Sequence, residues 1–327
     1  MAVRKSKQTQ IDIPNRIDAL PVRRVAPVVA GIIVAVFAAL LLQGIITNER
    51  FEWNVVWKYL FNEHVLDGIG WTLILTVVSM VIATILAVIL AVMRASTNVV
   101  LRGVSWFWIW FFRGTPVYTQ LVFWGLFSVL VPKLSLGIPF TSVEFWSIDS
   151  QQVLTATVAA ILGLALNESA YLAEIVRAGI EAVDTGQAEA AKALGMRGAL
   201  IMRRIVLPQA MRIIVPPVGN ETIGMLKTTS LVMAVPFSLE LQYATDAIAN
   251  RIYKPIPLLL VACIWYLVIT TILMVLQSRL EKYFGKGFEQ RSIMAPEVDP
   301  HFPGKTSGDL KNDVDKVNQS SWVGLNA

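Results

Sequence analysis

Long apolar runs separated by short basic segments account for most of this chain. The first run, Val25 to Thr47, contains no charged residue. At 1.5 Å per residue it is long enough to cross a hydrocarbon core of about 30 Å. Further runs at roughly Gly68–Met93, Val104–Val131, Val153–Ile175, Ile213–Val235 and Pro255–Leu276 bring the expected spans to six. The third is interrupted by "FRGTP" (Phe112–Pro116), where Gly114 and Pro116 predict a break or kink. The fifth carries Glu221, Lys227 and a Thr-Thr-Ser run, so it belongs inside protein rather than against lipid. Val25–Thr47 is longer than the apolar part of a signal peptide and has no small-residue cleavage site, which reads as an uncleaved anchor.

Charge orients these spans. With the N-terminus inside, the cytoplasmic segments 1–24, 94–103, 176–212 and the start of the tail hold eighteen Lys and Arg, against five on the other side. That is the positive-inside distribution, and it puts both termini in the cytoplasm. Composition agrees: 55% of residues are hydrophobic and only 16% charged, with a mean hydropathy of +0.59. The formal charge of +5 is therefore read as cytoplasmic-loop and headgroup chemistry, not as a nucleic-acid footprint. Residues 292–327, rich in Pro, Gly, Asp, Lys and Ser, read as a disordered cytoplasmic tail. Two distant histidines, His64 and His301, and one cysteine supply neither a metal site nor a nucleophile constellation, so no enzyme and no bound cofactor are expected.

The cytoplasmic segment 184–212 is unusual. Asp184 suits a helix N-cap with Gln187 placed for a capping box, and strong helix formers follow up to Leu194. Gly195 can supply the left-handed stop, and Pro208 interrupts or kinks the second helical stretch. The Ala-rich face lacks the large apolar groups of an interfacial helix; small side chains suit close docking against a partner.

Glu189-Ala190-Ala191, then Gly195, then Ile205-x-Leu207-Pro208 resembles the "EAA" loop of bacterial ABC importer permeases at every motif position. "FRGTPVYTQ", "LNESAYLAEIVRAGI", "LPQAMRIIVPPVGN" and "LKTTSLV" are similar to the polar amino-acid group, the histidine, glutamine and arginine importers. The resemblance covers about residues 51–284. It implies an all-α membrane protein with a five-helix permease core, to which Val25–Thr47 adds one N-terminal helix, and a place in the bacterial cytoplasmic membrane. It also implies partners: a dimer of ABC ATPase subunits, a second permease, identical or a sister, and an extracytoplasmic solute-binding protein. ATP would be bound by the partner. Glu189, Ala190, Ala191 and Gly195 are the ATPase-coupling residues on this basis. Thr228 departs from many relatives, which have an acidic or amide residue after the lysine.

Residues at membrane depth are the candidate solute path: Arg113, Asn167, Glu168, Lys227, Thr228, Thr229 and Ser230. An ionised group there costs at least about 2.5–3.5 kcal/mol, which calls for a partner. Glu168 and Lys227 either pair with each other or meet the ammonium and carboxylate of an amino acid, and Arg113 either snorkels to the headgroups or contacts solute. The rival functions are the same fold importing another small polar or cationic solute, such as an opine, and a secondary transporter, in which an EAA loop has no role.

Overall fold

The computed structural model describes residues 25–138 and 143–284. The basic segment 1–24 and the tail 292–327 lie outside the described residues. The chain divides into two compact units, Met1–Val55 and Val56–Ala327. The first holds helix α1 (Val25–Thr47) and a 3₁₀ turn (Glu49–Phe51) that Asn48 caps by accepting from the Arg50 amide at 3.0 Å. The Trp53 indole donates to the Ile45 carbonyl at 3.1 Å and satisfies one of the last-turn acceptors of α1.

In the second unit, which α2 (Trp53–Leu60) leads into, the longest helix is α3 (Glu63–Arg94). Its main partner is α7 (Ala156–Glu181). Between lipid-solvated helices there is little hydrophobic drive, so association depends on close packing, and this seam is built from small residues. Ala83 and Ala87 of α3 and Ala159, Ala160 and Ala173 of α7 are all buried in it, with Leu75, Leu164 and Leu172 filling between.

The third expected span is two helices in series, α4 (Val99–Gly114) and α5 (Val117–Leu130), separated at Thr115 and Pro116. The cause is local. In a continuous helix the carbonyl of Phe112 would accept from residue 116, and Pro116 has no N–H. Beyond α5 the chain forms an antiparallel hairpin of β1 (Lys133–Gly137) and β2 (Glu144–Asp149), in which Leu134 faces Ile148 and Leu136 faces Trp146. This departs from a purely helical expectation. A single turn, α6 (Ser150–Val153), precedes α7.

After α7 come the short helices α8 (Thr185–Ala193) and α9 (Gly198–Ile201), a π turn (Met202–Val206) and α10 (Leu207–Thr228). Here Pro208 does not interrupt α10; it sits in its first turn, and the wide turn before it absorbs the missing donor. The fifth expected span likewise ends early, because the chain tightens at Thr229 into a 3₁₀ turn (Thr229–Ala234). It then forms α11 (Leu241–Ile252) and α12 (Pro255–Phe284). Among the described residues four helices are individually long and apolar enough to cross a membrane: Pro27–Thr47, Glu63–Arg94, Ala156–Glu181 and Pro255–Phe284. The two expected spans missing from that set are the broken one and the polar one.

Candidate coupling loop and solute cavity

The loop at 184–212 is stapled at both ends of α8. Asp184 caps it by accepting from the Gly186 amide at 2.7 Å, one residue earlier in the helix than a capping box would use. At the other end Gly195 has φ +79°, its amide donates to Lys192 and the Met196 amide to Ala191. This double closure is the Schellman motif, and it needs a residue that tolerates a left-handed backbone. The helix therefore stops where the glycine is, with open space around it.

One face of α8 is turned inward. Ala191 is buried with Val183, Ile201, Val206, Ala210 and Ile214 in a small apolar cluster that joins the loop to α7 and α10. Glu189, Ala190 and Gly195 are exposed, as is Leu194, at 84%. The four motif residues thus divide: Ala191 holds the loop to its own protein, and the other three are available to a partner. Close by, α7 approaches α10 at Gly179, where a Cβ would lie 2.3 Å from Ile214 Cγ1. Arg177 of α7 pairs with Glu174 (2.7 Å) and Glu181 (2.6 Å), so the helix end carries its own charge balance.

The solute-path candidates separate as well. Asn167, Glu168 and Tyr171 of α7 meet Glu221, Met225 and Thr228 of α10 around a cavity of about 230 Å³. Asn167 Nδ2 donates to the orphaned Phe112 carbonyl at 2.9 Å. Glu168 is buried, and its Oε1 has no hydrogen-bond partner. Lys227 is exposed and forms no ion pair with Glu168, because a residue one step before Thr228 on α10 points away from the cavity that Thr228 lines. Ser230 returns its hydroxyl to the Lys227 carbonyl at 2.7 Å. Arg113 lies over the Tyr171 ring, 5.2 Å from its centroid, outside this cavity but next to it.

A scan of family models matches residues 83–286 to the binding-protein-dependent transport system inner membrane component. The chain belongs to that family. This permease is 50% identical over 285 residues to the arginine transport system permease protein ArgU of Corynebacterium glutamicum, covering 87% of this chain and 88% of that one. It is 35% identical to the histidine/lysine/arginine/ornithine permease HisM of Escherichia coli, over 66% of this chain and 86% of the relative. Among solved structures, an amino acid ABC transporter crystallised with histidines matches with a TM-score of 0.56 and 34% identity, over 68% of this chain and 95% of that chain. The permease is therefore an inner-membrane transport component and not an enzyme, and it works with an ATPase and a solute-binding protein.

The expected site residues did not include Glu240, although it accepts four hydrogen bonds in a buried polar node. Glu240 is fully buried and receives the hydroxyls of Thr72 (2.8 Å), Thr229 (3.2 Å) and Tyr266 and the amide of Gln242 (2.6 Å). It joins α3, the 3₁₀ turn, α11 and α12. Thr229, expected to meet solute, is taken up by this node.

Proposed function

We propose that this permease imports a cationic amino acid, and that the cavity between α7 and α10 receives its positively charged side chain. The observation that carries this reading is the free Oε1 of Glu168. A buried acceptor without a donor costs about 1–3 kcal/mol, so it needs a reason to persist. A guanidinium or ammonium group would supply the missing donor. The cavity is lined by two carboxylates, Glu168 and Glu221, and by no Lys or Arg. Asn167, Tyr171 and Thr228 add neutral polar groups. The names of the relatives, for arginine and for histidine, lysine, arginine and ornithine, support the same chemistry.

On this reading Glu189, Ala190 and Gly195, with Leu194 as an apolar knob, form the contact with the ATPase, and Ala191 anchors the loop behind them. The chain crosses the membrane six times, α4 and α5 together making one crossing and α10 with its 3₁₀ extension another, with both termini in the cytoplasm. Two permeases, identical or sister, enclose the path, and α1 is an added anchor outside the family core.

The test is uptake into proteoliposomes holding the permease, its ATPase and its binding protein. Glu168→Gln should remove transport of arginine and lysine while ATP hydrolysis continues. Undiminished uptake of both in that variant would sink the assignment.

A further inference from the structure

A second cavity, about 490 Å³, opens on the far side of Tyr171, between the end of α3, α4 and α7. Arg94, Trp106, Trp110, Arg113, Tyr171 and Glu174 line it. Its charge balance is one-sided. Glu174 is its one acidic lining residue, and that carboxylate is already held by Arg177 through Nε (3.0 Å) and a terminal nitrogen (2.7 Å). Neither Arg94 nor Arg113 forms an ion pair with a carboxylate among the described residues; Glu174 pairs with Arg177 instead. Arg113 rests on the Tyr171 ring, which orients its guanidinium and neutralises nothing. Two arginines that line one pocket without a carboxylate partner call for an oxyanion.

The surroundings indicate which one. Arg94 is in the last turn of α3, at the cytoplasmic end by the charge distribution of the chain. The indoles of Trp106 and Trp110 stack at 6.1 Å and 8° beside the arginines, 51% and 57% exposed. Phe107 and Phe111 extend the same exposed aromatic surface of α4. Indoles gather at the headgroup level of a bilayer, and basic pockets between transmembrane helices on the cytoplasmic side take anionic head groups. We infer that this cavity binds the phosphodiester head group of an anionic phospholipid from the cytoplasmic leaflet, with Arg94 and Arg113 on the phosphate and the α4 aromatics along the acyl chains.

The experiment uses the assembled permease and ATPase in nanodiscs, with tryptophan fluorescence quenched by brominated phosphatidylglycerol or brominated phosphatidylcholine. Stronger quenching by the anionic lipid is expected. Trp106→Phe with Trp110→Phe should remove the difference while leaving the arginines intact, which guards against a variant that fails to fold. Each of Arg94→Gln and Arg113→Gln should weaken the preference about fivefold, as for one basic group at a charged surface. Excess inorganic phosphate or arginine should leave the quenching unchanged. Equal quenching by the two lipids, or a preference that survives loss of both arginines, overturns the inference. Displacement by phosphate or by arginine also overturns it, since the pocket would then belong to a free anion or to the solute.

Discussion

Asn167 Nδ2 reaches 2.9 Å from the carbonyl oxygen of Phe112, the acceptor that Pro116 leaves without its helical donor. Gln120 Nε2 reaches the same oxygen at 3.1 Å. The break in α4–α5 is thus held from two directions, and one of them comes from the helix that lines the solute cavity. Asn167→Leu should lower stability by about 1–2 kcal/mol, because it strips a buried carbonyl of half its donors. In a chain this size that is a fall of about 1.5–3 °C in the melting temperature of the detergent-purified permease. An unchanged melting temperature would show the contact to be dispensable.

The division of the EAA motif predicts two different failures. Ala190→Arg, on the exposed face, should leave the permease folded and inserted while abolishing ATP-driven uptake. Ala191→Arg places a charge inside the cluster of Val183, Ile201 and Ile214, and should destabilise the loop itself. Limited proteolysis within 184–212 distinguishes them: accelerated cleavage is expected for Ala191→Arg alone.

Gly195→Ala should cost about 1 kcal/mol, since it forces a Cβ into a left-handed backbone in otherwise open space. Fold and insertion should survive, with reduced ATPase stimulation by loaded binding protein. Full stimulation would mean that the loop tolerates a shifted stop.

Gly179 and Ile214 give a pairwise test. Gly179→Ala should overpack the α7–α10 contact by about 1–3 kcal/mol, and Ile214→Ala in the same chain should recover part of that loss. Additive losses in a double-mutant cycle would refute the contact.

Two buried glutamates should respond in opposite ways. Glu240→Leu leaves the Thr72 and Tyr266 hydroxyls and the Gln242 amide without their acceptor, while Thr229 keeps the Leu226 carbonyl, so a loss of several kcal/mol is expected. Glu168→Leu removes an oxygen that already lacks a partner, and stability should hold or rise while uptake is lost. Thermal melts of the two variants side by side decide the matter.

Much of this was legible in the sequence. Gly114 and Pro116 announced the α4–α5 break, and Asp184 and Gly195 marked the two ends of α8, whereas the interruption expected at Pro208 is instead a π turn before it. The hairpin was not read from the sequence: Leu134, Ser135 and Leu136 alternate as a strand should, but they sit between stronger apolar signals. Glu240 was not legible: its partner Thr72 is 168 residues away, and nothing near either residue marks the pairing. The Glu168–Lys227 pair failed for a related reason. Both residues lie at similar depth, yet depth says nothing about the helical face, and one step along α10 separates a lining position from an outward one.

Glu168 at the cavity and Glu181 at the foot of the coupling loop belong to one helix with no proline between them. Thirteen residues of rise put them about 20 Å apart on a single stiff strut. The neighbouring route through α10 is softer, because it starts at a π turn and carries Pro216 and Pro217 within it. On the proposed coupling role, a push delivered beneath the loop would travel to Glu168 along the unbroken α7, while α10 would bend in answer. The side of the cavity with the unpartnered carboxylate oxygen would then be the piston, and the side with Thr228 the wall that gives way.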